Sequence, residues 1–182
     1  VPKYLAVTPD DRLLVVSNWC SYDVSVVDLD RDREIARVEI GRYPRGIAIA
    51  PDSSVAYVAV MGSNRVAVVD LASFEVVDEI VVGSSPRHLV LSPDGDLLYV
   101  SLNREGRLAK VDLATGQVLA KVATGVAPRS MDISDGGTAL YVVNYESGTM
   151  SKVRTADMVE TQELAAGYHP IGITYDAAAR EV

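Results

Sequence analysis

The stretch Gly41-Arg42-Tyr43-Pro44-Arg45 decides how this chain is read. It returns as Gly83-Ser84-Ser85-Pro86-Arg87 and as Gly125-Val126-Ala127-Pro128-Arg129. A worn copy stands at Gly167-Tyr168-His169-Pro170-Ile171, and Pro2-Lys3 is the remnant of an earlier one. Pro2, Pro44, Pro86, Pro128 and Pro170 follow one another at 42 residues, with no insertion or deletion between them. A fixed period of this size marks units that bury their apolar faces against their neighbours. The chain therefore divides into repeats 2–43, 44–85, 86–127 and 128–169, with 170–182 beginning a fifth, and a single domain over 1–182 is expected.

Each repeat holds four short apolar runs between turns. In the second they are Gly46–Ala50, Val55–Val60, Arg65–Leu71 and Glu75–Val82. Such runs, rich in Val, Ile and Tyr and too short for ordinary helices, read as strands. Ser92-Pro93-Asp94-Gly95 and Ala50-Pro51-Asp52-Ser53 place proline and Asp where tight turns want them. The second strand is apolar almost throughout, as at Val55–Val60 and Leu97–Leu102, which predicts cover on both faces. The fourth is polar, as at Glu34-Ile35-Ala36-Arg37-Val38-Glu39, which suits an edge that must not pair with other sheets. Four antiparallel strands at this period, apolar inside and charged outside, predict all-β propeller blades: four, plus part of a fifth.

Composition bounds the partners. A hydrophobic fraction of 48% is enough for a packed core, and the net charge of −8 argues against wrapping duplex nucleic acid. Cys20 stands alone, so no intrachain disulfide forms. No apolar run reaches the ~18 residues of a membrane span. The chain begins at Val1 and stops within a repeat, which is read as an excerpt of a longer protein, with any targeting signal outside it.

Val15-Val16-Ser17-Asn18, Tyr57-Val58-Ala59-Val60, Tyr99-Val100-Ser101-Leu102 and Tyr141-Val142-Val143-Asn144 resemble the Tyr-Val-Thr-Asn motif of YVTN, or YncE-like, β-propeller repeats. Ser-Pro-Asp-Gly before that motif, Val-Val-Asp-Leu after it and the Gly-x-x-Pro junction agree with the family, over the whole chain. The fourth repeat departs most, with Arg154 in the place of Asp28, Asp70 and Asp112. The resemblance implies a ring of seven blades, of which this would be an open arc able to self-associate; a closed four-bladed ring is the alternative. It also implies a bacterial or archaeal, extracytoplasmic setting.

In such a blade the junction lies on the same face as the loop between the second and third strands. Lys3, Arg45, Arg87 and Arg129 are then expected around one mouth, with Asn18, Trp19, Asn103, Asn144, Tyr145 and His169 beside them. Cations gathered in an acidic protein form a candidate seat for an anion, since arginine forks match carboxylate and phosphate. The plainer alternative pairs each arginine with an acid and makes it a structural staple. Asp28-x-Asp30-x-Asp32 with Glu39 mimics a calcium loop, but Arg33 stands where that loop needs glycine, so no metal is expected. His88 and His169 show no ligand or triad spacing, and no cofactor is expected. The function read from the sequence is a non-catalytic scaffold that binds a ligand, or an anionic or protein partner, at the junction face. The alternatives are a lactonase-type hydrolase and a cofactor-bearing redox propeller.

Overall fold

β-Branched and aromatic residues in runs of six or seven, cut by Pro, Gly and Asp, leave this chain little choice but short strands. The computed structural model describes all 182 residues. Its first sheet is β1 (Pro2–Val7), β2 (Leu13–Asn18), β3 (Asp23–Asp28) and β4 (Arg33–Glu39). The second is β5 (Pro44–Ile49), β6 (Val55–Val60), β7 (Arg65–Asp70) and β8 (Glu75–Val81). The third is β9 (Pro86–Leu91), β10 (Leu97–Leu102), β11 (Arg107–Asp112) and β12 (Gln117–Ala123). The fourth is β13 (Pro128–Ile133), β14 (Ala139–Asn144), β15 (Thr149–Arg154) and β16 (Val159–Ala165).

Every sheet runs in chain order with antiparallel neighbours, so each repeat is one meander, the blade that the period predicts. The only helical turn is a 3₁₀ turn at Met61–Ser63. A register shift falls at Val26/Val27, Val68/Val69, Lys110/Val111 and Lys152/Val153, the same place in all four repeats. A bulge there adds twist between the third strand and the polar outer one.

The chain falls into two compact units, Val1–Leu89 and Val90–Val182. In the first, Val15, Val24 and Val38 of one blade close on Ile47, Val58 and Val69 of the next. In the second, Tyr99 and Leu108 close on Met131, Leu140 and Val153. The Ser-Pro-Asp-Gly turn is tied by its own polar groups. Ser92 Oγ donates to the Asp94 carboxylate and accepts from the Leu97 amide at 3.0 Å.

Beyond β16 no further strand forms. Residues 170–182 hold one isolated bridge, Asp176 to Glu181. They lie beside β13, where the Tyr175 amide and the Thr174 hydroxyl donate to Asp132 Oδ2 at 2.8 and 3.2 Å.

Candidate functional site

The junction has a shape of its own. The residue before each proline, Tyr43, Ser85, Ala127 and His169, is left-handed, with φ of 61, 56, 57 and 52°. Few non-glycine residues accept this, so the loop must be held by its surroundings. It is held by the neighbouring loop: Met61 N and Gly62 N donate to the Tyr43 and Arg42 carbonyls at 3.1 and 3.0 Å. Tyr145 N and Glu146 N do the same for Ala127 and Val126, at 3.1 and 3.2 Å. After the kink, Pro44, Pro86 and Pro128 open the next inner strand, and Arg45, Arg87 and Arg129 follow as its second residue.

In the first unit these side chains meet at Trp19. The Arg45 guanidinium carbon lies 4.5 Å from the indole centre and Lys3 Nζ 5.9 Å from it. Tyr43 lies against the same ring, its centre 4.6 Å away, and Tyr22 meets Tyr43 edge-on at 5.6 Å. Arg42 reaches over Tyr22 at 5.9 Å. Three cations and three rings thus share one patch.

The second unit repeats the arrangement three periods on. Tyr145 stands where Trp19 stood, His169 where Tyr43 stood and Arg129 where Lys3 stood. The Arg129 guanidinium carbon is 3.4 Å from the Tyr145 ring centre, and the His169 ring stacks on Tyr145 at 4.1 Å. Both distances fit only if they take opposite faces of the ring. Tyr168, exposed, lies 3.8 Å from His169 and extends the stack.

Two expectations for the arginines were an acid partner each, or convergence on an open mouth. For Lys3, Arg45 and Arg129 the structure shows a third arrangement, in which the cation rests on an aromatic face. Ion pairs occur on outer strands and in hairpin turns, as at Arg65–Glu79 and Arg154–Asp157. Lys3, Arg42 and Arg129 have no carboxylate within ion-pair distance, and the buried Nε of Arg129 has no acceptor. Arg87 follows the buried Pro86 at the start of β9 and is half-buried.

The asparagines serve the blades. Asn18 Nδ2 donates to Asp23 Oδ1 and Ser25 Oγ at 2.8 and 2.9 Å, and Asn144 Nδ2 to Thr149 and Ser151 at 3.1 and 2.8 Å. Asn103, in the ring position of the third repeat, donates to the Pro128 carbonyl at 3.0 Å. Sequence reasoning missed Arg42, Tyr43 and Tyr168. The available signal was an aromatic before the proline, in the first and fourth junctions only.

The remaining histidine works inside the first unit. His88 Nε2 lies 3.0 Å from the Tyr4 hydroxyl, and the two rings meet edge-on at 5.1 Å. Gly46 allows this approach: a Cβ there would come within 2.8 Å of the Arg87 carbonyl and the His88 Cα. Asp28, first residue of the calcium-loop mimic, instead binds Arg31 through its amide and guanidinium at 2.9 and 2.6 Å. No group of three or more His, Cys, Asp or Glu side chains comes together, and no helix is long and apolar enough to cross a membrane.

Residues 57–171 match the model of the cytochrome D1 heme domain family. The chain belongs to that family. Among solved structures it is similar to a hydrazine synthase chain of Kuenenia stuttgartiensis, with a TM-score of 0.86 and 24% identity over 96% of this chain. It spans 51% of that chain, and at this identity the likeness shows the fold alone. No curated protein matches the sequence. The cytochrome D1 heme domain family is a β-propeller family, so the propeller reading stands; the YVTN resemblance rests on the sequence motifs.

Proposed function

We propose that this protein is a non-catalytic propeller scaffold that takes an anionic ligand or an acidic partner segment at its junction loops. The contacts would be Lys3, Arg42 and Arg45 around Trp19 in one unit, and Arg129 on Tyr145 in the other. One observation carries the reading: in a chain of net charge −8, Lys3, Arg42 and Arg129 have no carboxylate partner and are held against rings. A ring beneath a guanidinium fixes its plane and leaves its in-plane N–H donors for an oxyanion, so little ordering remains to be done on binding.

Calorimetric titration with inorganic phosphate and with a poly-glutamate peptide, in low salt where screening is weakest, tests this. Arg45→Ala and Arg129→Ala should each weaken binding by about 1.5–3 kcal/mol, the range for a charge-assisted hydrogen bond. Absence of binding to the wild type under these conditions would overturn the proposal.

The family's name brings a second reading, a heme-carrying redox propeller. Neither histidine stands clear of other side chains. His88 Nε2 already faces the Tyr4 hydroxyl at 3.0 Å, and the His169 ring has Tyr145 and Tyr168 at 4.1 and 3.8 Å. Adding heme to the purified protein should give no saturable shift of its Soret band. A saturable one-to-one shift, lost in His88→Ala or His169→Ala, would favour the redox reading instead.

A further inference from the structure

The turns at the ends of the blades away from the junction loops differ from repeat to repeat. Between the third and fourth blades they touch: a Cβ on Gly137 would come within 2.8 Å of Pro93 Cδ. The repeat mate of Gly137 between the first and second blades is Ser53, whose hydroxyl accepts from the Asp10 amide at 3.1 Å. A side chain thus stands between these two turns, and beside it lies a cleft of about 440 Å³. Small-molecule sites usually measure about 300–1,000 Å³.

Leu13 and Ile35 of the first blade and Phe74 of the second give the cleft an apolar wall. Phe74, the single phenylalanine, is half-buried, whereas Met158, its mate in the fourth blade, is sunk into the core at 5% exposure. Most of the charges around the wall are matched. Arg31 is taken by Asp28 at 2.6 Å, and Arg12 offsets Asp10 within one turn. Asp70 is left over. Its Oδ1 accepts from the Ala72 and Ser73 amides at 3.0 and 2.6 Å and from the Ser73 hydroxyl at 2.9 Å, while its Oδ2 takes no hydrogen bond. No cation lies within ion-pair distance of it. In the fourth blade the same position is Arg154, paired with Asp157 at 2.7 Å. The cleft between the first two blades therefore sets one uncompensated negative charge beside an apolar wall, and the later repeat reverses that charge.

We infer that this cleft binds a primary ammonium carried on an apolar body, the ammonium on Asp70 Oδ2 and the body against Leu13, Ile35 and Phe74. The face of the Phe74 ring attracts the same charge. The site lies at the opposite end of the blades from Trp19 and takes the opposite sign of ligand, so it stands apart from the anion seat.

Phenethylamine is the probe. Calorimetric titration of the full chain in low salt should show saturable one-to-one binding. Asp70→Asn removes the charge and keeps the Oδ1 acceptor, and should weaken binding about tenfold or more, as expected for a lost charge-assisted hydrogen bond. Phe74→Gly gives the turn the residue it already has at Gly116 and should weaken binding too. It carries the test if Asp70→Asn loses its β signature by circular dichroism. Asp112→Asn, at a carboxylate that makes the same turn bonds outside this cleft, should bind as wild type does. 3-Phenylpropionate, the same body with a carboxylate, should not displace the amine. No saturable binding to wild type would overturn the inference. So would displacement by 3-phenylpropionate, or an affinity of folded Asp70→Asn within about twofold of wild type, too small a change for a lost charge-assisted bond.

Discussion

The guanidinium carbon of Arg129 lies 3.4 Å from the centre of the Tyr145 ring, and His169 stacks on the same ring at 4.1 Å. This relationship joins the second residue of one inner strand, the loop after the second strand and the junction after the fourth. It therefore fastens both ends of the blade on one face. The charge sits on a surface that cannot neutralise it, so the contact orders the arginine without consuming its affinity for anions.

Tyr145→Leu removes the ring from beneath Arg129 and from against His169. Urea unfolding should show a loss of about 1–2 kcal/mol, the sum of a cation–ring and a ring–ring contact. A loss below about 0.3 kcal/mol, well under either contact's usual range, would mean that the stack does not hold the loop.

Gly46→Ala should cost more than its one methyl suggests. The added carbon meets backbone atoms at 2.8 Å, the Arg87 carbonyl and the His88 Cα, and neither can rotate away. Overpacking of this kind costs about 1–3 kcal/mol. Gly136→Ala is the control, because nothing lies within 4 Å of a carbon added there. Equal stability of the two variants in thermal unfolding would refute the close approach of β9 to β5.

Much of this was legible in the sequence, for a physical reason. The repeat fixes every turn at the same place, so the Gly-x-x-Pro spacing, the Ser-Pro-Asp-Gly turn and the polar fourth strand each appear several times. Strand starts were less clear. β5 begins at Pro44 and not at Gly46, because proline is tolerated as the first residue of a strand. The ring contacts were not legible. Residues 3, 19, 43 and 45 come from two repeats, and the position before the proline reads Tyr, Ser, Ala and His, which hides its aromatic members. The amides of Asn18 and Asn144 looked like loop donors facing a ligand, yet β3 and β15 accept from them.

The turns should make stability depend on acid. Ser92 donates to Asp94, Thr8 to Asp10, Ser54 to Asp52 and Thr115 to Asp112, and each bond holds the carboxyl below its ordinary 3.8. A carboxyl lowered in the folded state contributes stability above its unfolded value and loses it as pH falls through the lowered one. Asp94→Asn should therefore be less stable than wild type at neutral pH, with the difference shrinking as pH drops below about 4, near the ordinary aspartate value. A difference that stays constant from pH 7 to pH 2 in denaturant titrations would rule out this origin.

The central claim is that cations around Trp19 make an anion seat in an acidic protein, and Trp19, the single tryptophan, can report on it directly. Its fluorescence should be quenched by iodide and by caesium at low ionic strength, and the two slopes compared. Lys3, Arg42 and Arg45 should draw iodide in and repel caesium, so iodide quenches more steeply despite the net charge of −8. Replacing Lys3 and Arg42 together by Ala should erase most of that preference. A slope for caesium equal to or above that for iodide in the wild type would contradict the account.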